Sequence, residues 1–332
     1  MKSIRIGEVV AEPGEARQGL VRVFRLADGT RADIPTSVIN GKREGPVVNV
    51  HAAIHGDEYE GIEAAWRLAE RIKPGMLSGA LVVTPIVHLA AYAAGTRESP
   101  VDGKNLARVF PGDRTGTATD RIAHSFFNEV VLKCDYVIGL HSGGFRNRFH
   151  PLIEYYEGFD AEVGKKAKAA AQAFCVGPFD IMQRIGNPPR NVTCTSEASR
   201  HGIPGIEGEM WGEGRCVDEH AEQYASATAN TLRSLGMVSD DALSLFVGQK
   251  RRRVRHCEGE WVTAGDGGLF LPSVGIEDEV TEGQELGVIK GERGEALERV
   301  VAPSAGFIGA VHTFPMVRPG DGTVMIERRL DR

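Results

Sequence analysis

Apolar and polar positions along this chain follow two rhythms, and the change between them divides it. From about Pro46 to Val238, apolar runs at Pro46–Ile54, Ala80–Val87, Tyr136–Leu140 and Ile203–Ile206 read as strands. Between them the spacing is helical. Glu60–Ile72 sets Ile62, Ala65, Leu68, Ala69 and Ile72 on one face, and Ala123–Leu132, Ala161–Phe174 and Asp218–Leu235 follow the same period. Strands interleaved with helices predict an α/β unit, a mixed sheet flanked by helices. Residues 1–45 hold only short β-like pieces such as Leu20–Leu26. After Leu245 the helical spacing stops, and Val254 to Arg329 break into short β-like runs punctuated by glycine and proline. The shift predicts a larger unit over 1–245 and a smaller all-β domain over 246–332.

Composition narrows the class. The 332 residues are 42% hydrophobic and 25% charged, ordinary for a globular chain, and 39 basic against 45 acidic side chains leave a formal charge of −6. An acidic chain is a poor general binder of nucleic acid. The basic run Lys250, Arg251, Arg252, Arg253 and Arg255 lacks interleaved aromatics, and it reads as a solvated linker or edge strand. No apolar run approaches the ~20 residues that span a bilayer. Met1 to Pro13 contain Glu8 and Glu12 without an apolar stretch, so no signal peptide is visible. The cysteines at 134, 175, 194, 216 and 257 form no Cys-x-x-Cys pair, which excludes a thiolate metal site and a disulfide framework. The expected compartment is cytoplasmic, with no membrane partner, and a homo-oligomer is compatible with the sequence.

The chemistry concentrates in four segments. His55-Gly56-Asp57-Glu58 follows an apolar run and precedes the first helix, so a histidine and a glutamate three apart can point the same way. Gly56 between them allows a sharp turn. A catalytic zinc takes imidazole nitrogen and carboxylate oxygen from three protein ligands and leaves one position open. A remote third ligand is His141, which ends the run Asp135–Leu140. Both histidines thus fall at carboxyl ends of strands, where open α/β sheets place their crevices. His51 reads as a core histidine with a supporting position behind His55 as the alternative, and the other histidines read as structural or surface groups. Glu207 and Glu209 lie on one face if Gly202–Glu209 runs on as a strand, and either could serve as a proton acceptor. Arg97 and Arg108 bracket a loop rich in Asp, Gly, Asn and Pro that includes Asn105, and they offer cations for a carboxylate or a polarised carbonyl.

Taken in order, these segments resemble the succinylglutamate desuccinylase/aspartoacylase family, over about residues 46–240. The resemblance rests on His55 to Glu58, on Gly139-Leu140-His141, on Gly202 to Glu209 with Gly205 in place of alanine, and on Arg97 through Gly112. It implies a zinc-carboxypeptidase-like fold with one Zn²⁺ per chain held by His55, Glu58 and His141. It also implies Glu209, rather than Glu207, as catalytic acid/base. Arg97 would polarise the scissile carbonyl, and Arg108, with Asn105 nearby, would hold the substrate. One departure stands out: Ala107 occupies the position before the second arginine where the family has asparagine, which bears on acyl-group specificity. Longer bacterial members, similar to N-acetyl-diaminobutyrate deacetylases, share this length and a C-terminal β domain. That domain resembles a lipoyl/biotinyl-type β-sandwich, best at Ala302–Gly306, without a modifiable lysine at a hairpin tip, so a structural or lid role is expected. The implied activity is hydrolysis of a small N-acylated amino acid or related amide. The alternatives are a metallocarboxypeptidase acting on short peptides and a non-catalytic small-molecule-binding homologue.

Overall fold

A computed structural model describes residues 2–330 apart from 28, 158, 186–192, 249 and 251–252. In chain order the first part holds β1 (Ile4–Ile6), β2 (Val9–Ala11), β3 (Ala16–Val21), β4 (Ile34–Asn40), β5 (Arg43–Ala52), α1 (Glu60–Arg71), β6 (Ser78–Thr84) and α2 (Leu89–Ala94). There follow α3 (Ala118–Glu129), β7 (Tyr136–Leu140), β8 (Asn147–Tyr156), α4 (Ala161–Phe174), β9 (Ile181–Ile185), α5 (Cys194–Arg200), β10 (Gly205–Gly212), α6 (Asp218–Ser234) and α7 (Asp240–Leu243). Only strands come after: β11 (Arg255–Thr263), β12 (Gly268–Pro272), β13 (Glu279–Val280), β14 (Glu285–Lys290), β15 (Ala296–Val301), β16 (Gly306–His312), β17 (Met316–Val317) and β18 (Gly322–Arg329).

The mixed sheet expected from the sequence is present. Its order is β13-β16-β18-β11-β9-β8-β10-β7-β5-β6-β4-β3, with β5, β6, β7 and β10 parallel at its centre. Helices cover both faces. One core joins α1, α4 and α6 through Ile62, Leu68, Phe174, Tyr224 and Leu232, and a second joins α3 and α5 to β3 and β4 through Val21, Ile34, Phe126 and Ala198. The predicted stripe on α1 is buried at Ile62, Ala65, Leu68 and Ile72.

Several boundaries move for identifiable reasons. The expected strand Leu20–Leu26 is instead β3, which stops at Val21. Beyond it Arg22 Nη1 turns to Asp33 Oδ2 (2.7 Å) and Val23 N donates to Asp33 Oδ1 (3.0 Å), which diverts the chain from the ladder. The helix expected from Ala123 starts at Ala118, because Thr117 and Asp120 form a reciprocal capping box at its N-terminus. The run Ile203–Ile206 extends as β10 to Gly212, so Glu207 and Glu209 lie inside a strand and share a face.

The C-terminal strands join the sheet of the first part. β11 pairs in parallel with β9 (Arg255↔Ile181), and β16 pairs antiparallel with β8 (Ala310↔Phe149). β8 therefore has β10 on one side and, on the other, β16 along its first residues and β9 from Leu152 onward. Strands β8, β9, β11, β18 and β16 close on themselves as a small barrel. Four further C-terminal strands form a separate sheet, β15-β14-β12-β17, packed on the large one through Phe270, Leu286, Ile289, Ile308, Val311 and Ile326, while β1 and β2 pair with each other. Arg255 begins β11, a strand paired on both sides rather than at an edge; Arg251 and Arg252 of the basic run lie outside the described residues. Among the described residues no helix is long and apolar enough to cross a membrane.

Candidate active site

Sheet register builds the site. β5 and β7 are parallel with Ala52 beside Leu140, and β10 is parallel to β7 with Gly208 beside Leu140. The loop after β5, the residue after β7 and the end of β10 therefore meet at one edge. His55 sits three residues beyond β5, because the strand ends at Ala52 and Ala53 turns with φ of 48°. His55 therefore lies outside the strand that carries His51.

His55, Glu58 and His141 converge there, each with a ligand atom within 4.8 Å of the others. The Glu58 carboxylate lies between the two rings, 2.7 Å from His55 Nδ1 and 2.9 Å from His141 Nδ1. All three are buried, Glu58 at 1% exposure. Asn105 Oδ1 stands 3.1 Å from His55 Nε2, which accounts for the orientation of that ring with Nδ1 turned toward Glu58. Tyr224 OH donates to the His141 carbonyl (2.5 Å), and Phe145 N donates to Asp57 Oδ2 (2.8 Å), tying the two ligand-bearing turns together. Burial opposes charge on Glu58, but the two imidazoles outweigh it and hold the carboxyl below the usual carboxylate range. Burial and Arg97 push His55 down to about 4. On His141 burial is overcome by Glu58, Glu209 and Glu207, and the ring is pushed up to about 10. Two oriented imidazoles around one dry carboxylate are a donor set suited to a divalent cation of the zinc type.

Gly56 works differently from the expectation. A Cβ there would lie 2.0 Å from Ala91 C and 2.1 Å from Ala91 O, so the residue is small because α2 passes against it. Gly56→Ala is expected to destabilise the protein by about 1–3 kcal/mol, read as a lowered urea midpoint. An unchanged midpoint would mean that α2 yields freely.

Glu209 and Glu207 both face the cavity beside His141. They differ in commitment. Glu207 Oε2 accepts from Tyr156 OH (3.0 Å), whereas Glu209 Oε2 is buried without a partner among the described residues. Burial, with Glu58 and Glu154 adding to it against the pull of His141 and Arg97, raises the Glu209 carboxyl well above its ordinary value. A carboxyl held above its ordinary range is a better proton acceptor than an exposed one. Arg97 Nη1 reaches Glu58 Oε1 (3.1 Å) and His55 Nδ1 (3.2 Å), and Arg108 and Ala107 line the cavity wall. The loop that carries them is stapled to the start of α3 by Asp102 on Thr119 (2.6 and 2.8 Å) and Lys104 on Asp120 (2.6 Å). Asn105 commits its Oδ1 to His55 and to Ala107 N (2.9 Å), so it acts on the site first through a ligand ring. His51 is a core histidine with one ring nitrogen on Asn49 (3.0 Å) and Nε2 without a partner among the described residues, and burial pushes it down to about 3.

The cavity, about 610 Å³, was only half visible from the motifs. Its far wall comes from Glu154 and Gln183 on β8 and β9, and from Gly259, Trp261, Thr263, His312 and Gly322 of the C-terminal strands. None of these carries a motif. His312, read from the sequence as structural or surface, belongs to this wall.

A mixed α/β sheet that gathers two histidines and a carboxylate at one edge, with a second carboxylate beside them, is the framework of a hydrolase. Residues 44–235 match the succinylglutamate desuccinylase/aspartoacylase catalytic domain. The N-alpha-acetyl-L-2,4-diaminobutyric acid deacetylase of Halomonas elongata is 30% identical over 258 residues, 76% of this chain and 72% of that protein. The crystal structure of a succinylglutamate desuccinylase/aspartoacylase from Rhodobacter sphaeroides superposes with a TM-score of 0.84 at 25% identity, over 99% of this chain and 100% of that one. The product-bound ectoine utilization protein EutE of Ruegeria pomeroyi has the same fold, with a TM-score of 0.85 at 22% identity over 98% and 99% of the two chains. The chain belongs to the succinylglutamate desuccinylase/aspartoacylase family.

Proposed function

We propose that the protein is a zinc-dependent deacylase that hydrolyses the amide bond of a small N-acylated amino acid. The observation that carries this reading is the convergence of His55, Glu58 and His141 in one cavity beside Glu209, whose Oε2 has no partner among the described residues. It is supported by the relative that deacetylates an N-acetylated amino acid. The same donor set at the carboxyl ends of parallel strands supports kinship with the zinc carboxypeptidases. His55, Glu58 and His141 would hold one zinc per chain. Bound there, zinc supplies Lewis acidity that lets water act as a nucleophile near neutral pH. Glu209 accepts the proton of the attacking water and returns it to the leaving amine. Arg97 balances the charge that develops on the carbonyl oxygen. Arg108 binds the substrate carboxylate. Asn105 keeps His55 in its ligand orientation and has its amide left for substrate.

Residues 1–245 hold every group of this hydrolytic set, and 246–332 add cavity wall, which fits the expected division into a catalytic unit and a covering β-sandwich. That wall favours compact substrates over peptides, which need an open groove. A cytoplasmic location is supported by five free cysteines, four of them buried. The test is a screen of zinc-loaded protein against N-acetyl, N-succinyl and N-formyl amino acids and short peptides. Turnover of at least one acyl amino acid and of no peptide is expected; the reverse would replace this reading with a peptidase.

A further inference from the structure

The cavity continues past the hydrolytic set into the mouth of the small barrel, and its inner wall is acidic by construction. Glu154 on β8 stands directly opposite Glu207 on β10, and Gln183 on β9 stands directly opposite Glu154. Strand alternation puts Glu154, Glu207 and Glu209 on one face. With ~3.4 Å per residue and ~4.8 Å between strands, Glu154 lies about 8 Å of backbone from Glu209. Glu327 on β18 enters the same interior between two strands that lack side chains there. A Cβ on Gly309 of β16 would lie 2.6 Å from Glu327 Cγ, and one on Gly259 of β11 would lie 1.9 Å from Gln183 Nε2 and 3.1 Å from Glu327 Oε1.

These carboxylates lack sufficient partners. Glu327 is 0% exposed; its Oε1 accepts from Gln183 Nε2 (2.8 Å), and its Oε2 has no partner among the described residues. Glu154 lines the cavity, and among the described residues no hydrogen bond or salt bridge holds it. Burial and then Glu207 push Glu154 up to about 8, with Glu327 adding to it against His141 and Arg108. Burial pushes Glu327 up to about 7 against Gln183 and Arg255. Acids withdrawn from bulk solvent with too few partners cost stability unless a ligand completes them.

A second metal ion is not what this wall fits. Among the described residues, three ligand atoms approach within 4.8 Å only at His55–Glu58–His141 and at His150–Asp180–Glu277. The latter is already neutralised by Arg255, whose Nη2 lies 2.7 Å from Asp180 Oδ1 and 3.1 Å from Glu277 Oε1. Carboxylates that are dispersed, with an amide among them, suit a cation bearing several N–H donors.

We propose that the inner end of the cavity is an alkylammonium subsite, in which Glu154 and Gln183, with Glu327 behind Gln183, bind the side-chain amine of an N-acylated diamino acid. The proposal rests on the deacylase reading above for the remainder of the substrate. A short diamine side chain reaching inward from an amide beside Glu209 brings its ammonium to Glu154.

The experiment compares kcat/KM of zinc-loaded enzyme for N-α-acetyl-2,4-diaminobutyrate and N-α-acetylornithine with the neutral N-acetyl-2-aminobutyrate and N-acetylnorvaline. The wild type is expected to prefer the amine-bearing member of each pair by about 10–100-fold. Glu154→Gln and Glu154→Asp are expected to shrink that ratio, Glu154→Gln by at least ~10-fold, with zinc content as the control for an intact site. Calorimetry of free 2,4-diaminobutyrate against 2-aminobutyrate gives a readout independent of turnover, with tighter binding of the diamine in wild type and loss of that difference in Glu154→Gln. Hydrolysis of neutral and amine-bearing substrates at equal efficiency would overturn the subsite and leave the deacylase standing. Failure to hydrolyse any acyl amino acid would overturn the deacylase reading, and calorimetry would then decide the subsite alone. A second equivalent of zinc or calcium that Glu154→Gln abolishes would overturn it in favour of a metal site.

Discussion

Glu209→Gln is expected to lower turnover by ~10²–10⁴-fold, the range of general acid–base residues, while zinc content stays at the wild-type level. The two side chains are nearly the same size, and Glu209 Oε2 has no hydrogen bond to lose among the described residues. Its strand is fixed elsewhere, by pairing with β7 on one side and β8 on the other. The substitution therefore removes a proton acceptor and little else. Glutamine can still donate a hydrogen bond to a carbonyl, so binding should survive and the loss should fall on kcat rather than KM. Glu207→Gln is the informative partner. Its carboxylate is occupied by Tyr156 OH at 3.0 Å, so a smaller effect on turnover is expected. Full activity in Glu209→Gln with loss in Glu207→Gln would transfer the role.

The convergence of His55, Glu58 and His141 could be read from the sequence because each lies in a short segment at the end of a strongly patterned element. α4 and β7 have the bounds that their periodicity predicts, Ala161–Phe174 and Tyr136–Leu140, and His141 follows directly from the second. β8 and β9 were illegible for a physical reason. Asn147–Tyr156 contains Pro151, which argues against a central strand. The proline is tolerated at the point where β8 changes partner from β16, which it pairs through Phe149, to β9, which it pairs from Leu152. The closing of the barrel depends on that exchange, and no local pattern announces it. Glu154, Gln183 and Glu327 come together only through it, so the acidic half of the cavity had no signal in the sequence. Asn105 illustrates the opposite case. Its position in the loop was readable, but its contact with His55 follows from the short helical turn Leu106–Arg108 that it caps.

The metal assignment predicts the other large effect. Purified protein should carry about one zinc per chain, and His55→Ala/His141→Ala should carry none and be inactive. The ligand atoms explain why both imidazoles matter: each Nδ1 lies within hydrogen-bond distance of a different Glu58 oxygen, so neither ring can substitute for the other. The wild-type apo site also predicts a pH signature. His141 keeps its proton up to about 10 in the field of Glu58, Glu209 and Glu207, and a metal requires that nitrogen free. Zinc binding near neutral pH should therefore release about one proton from His141, and affinity should rise with pH until that group is deprotonated. The double variant leaves Glu58, 1% exposed, with Arg97 Nη1 at 3.1 Å as its remaining ion-pair partner among the described residues. An acid buried without its partners destabilises by about 3–5 kcal/mol, so zinc content must be measured well below the variant's Tm. Zinc kept at full stoichiometry by a folded double variant would refute the ligand set, and wild-type zinc uptake without proton release would mean that His141 is already neutral in the apo site.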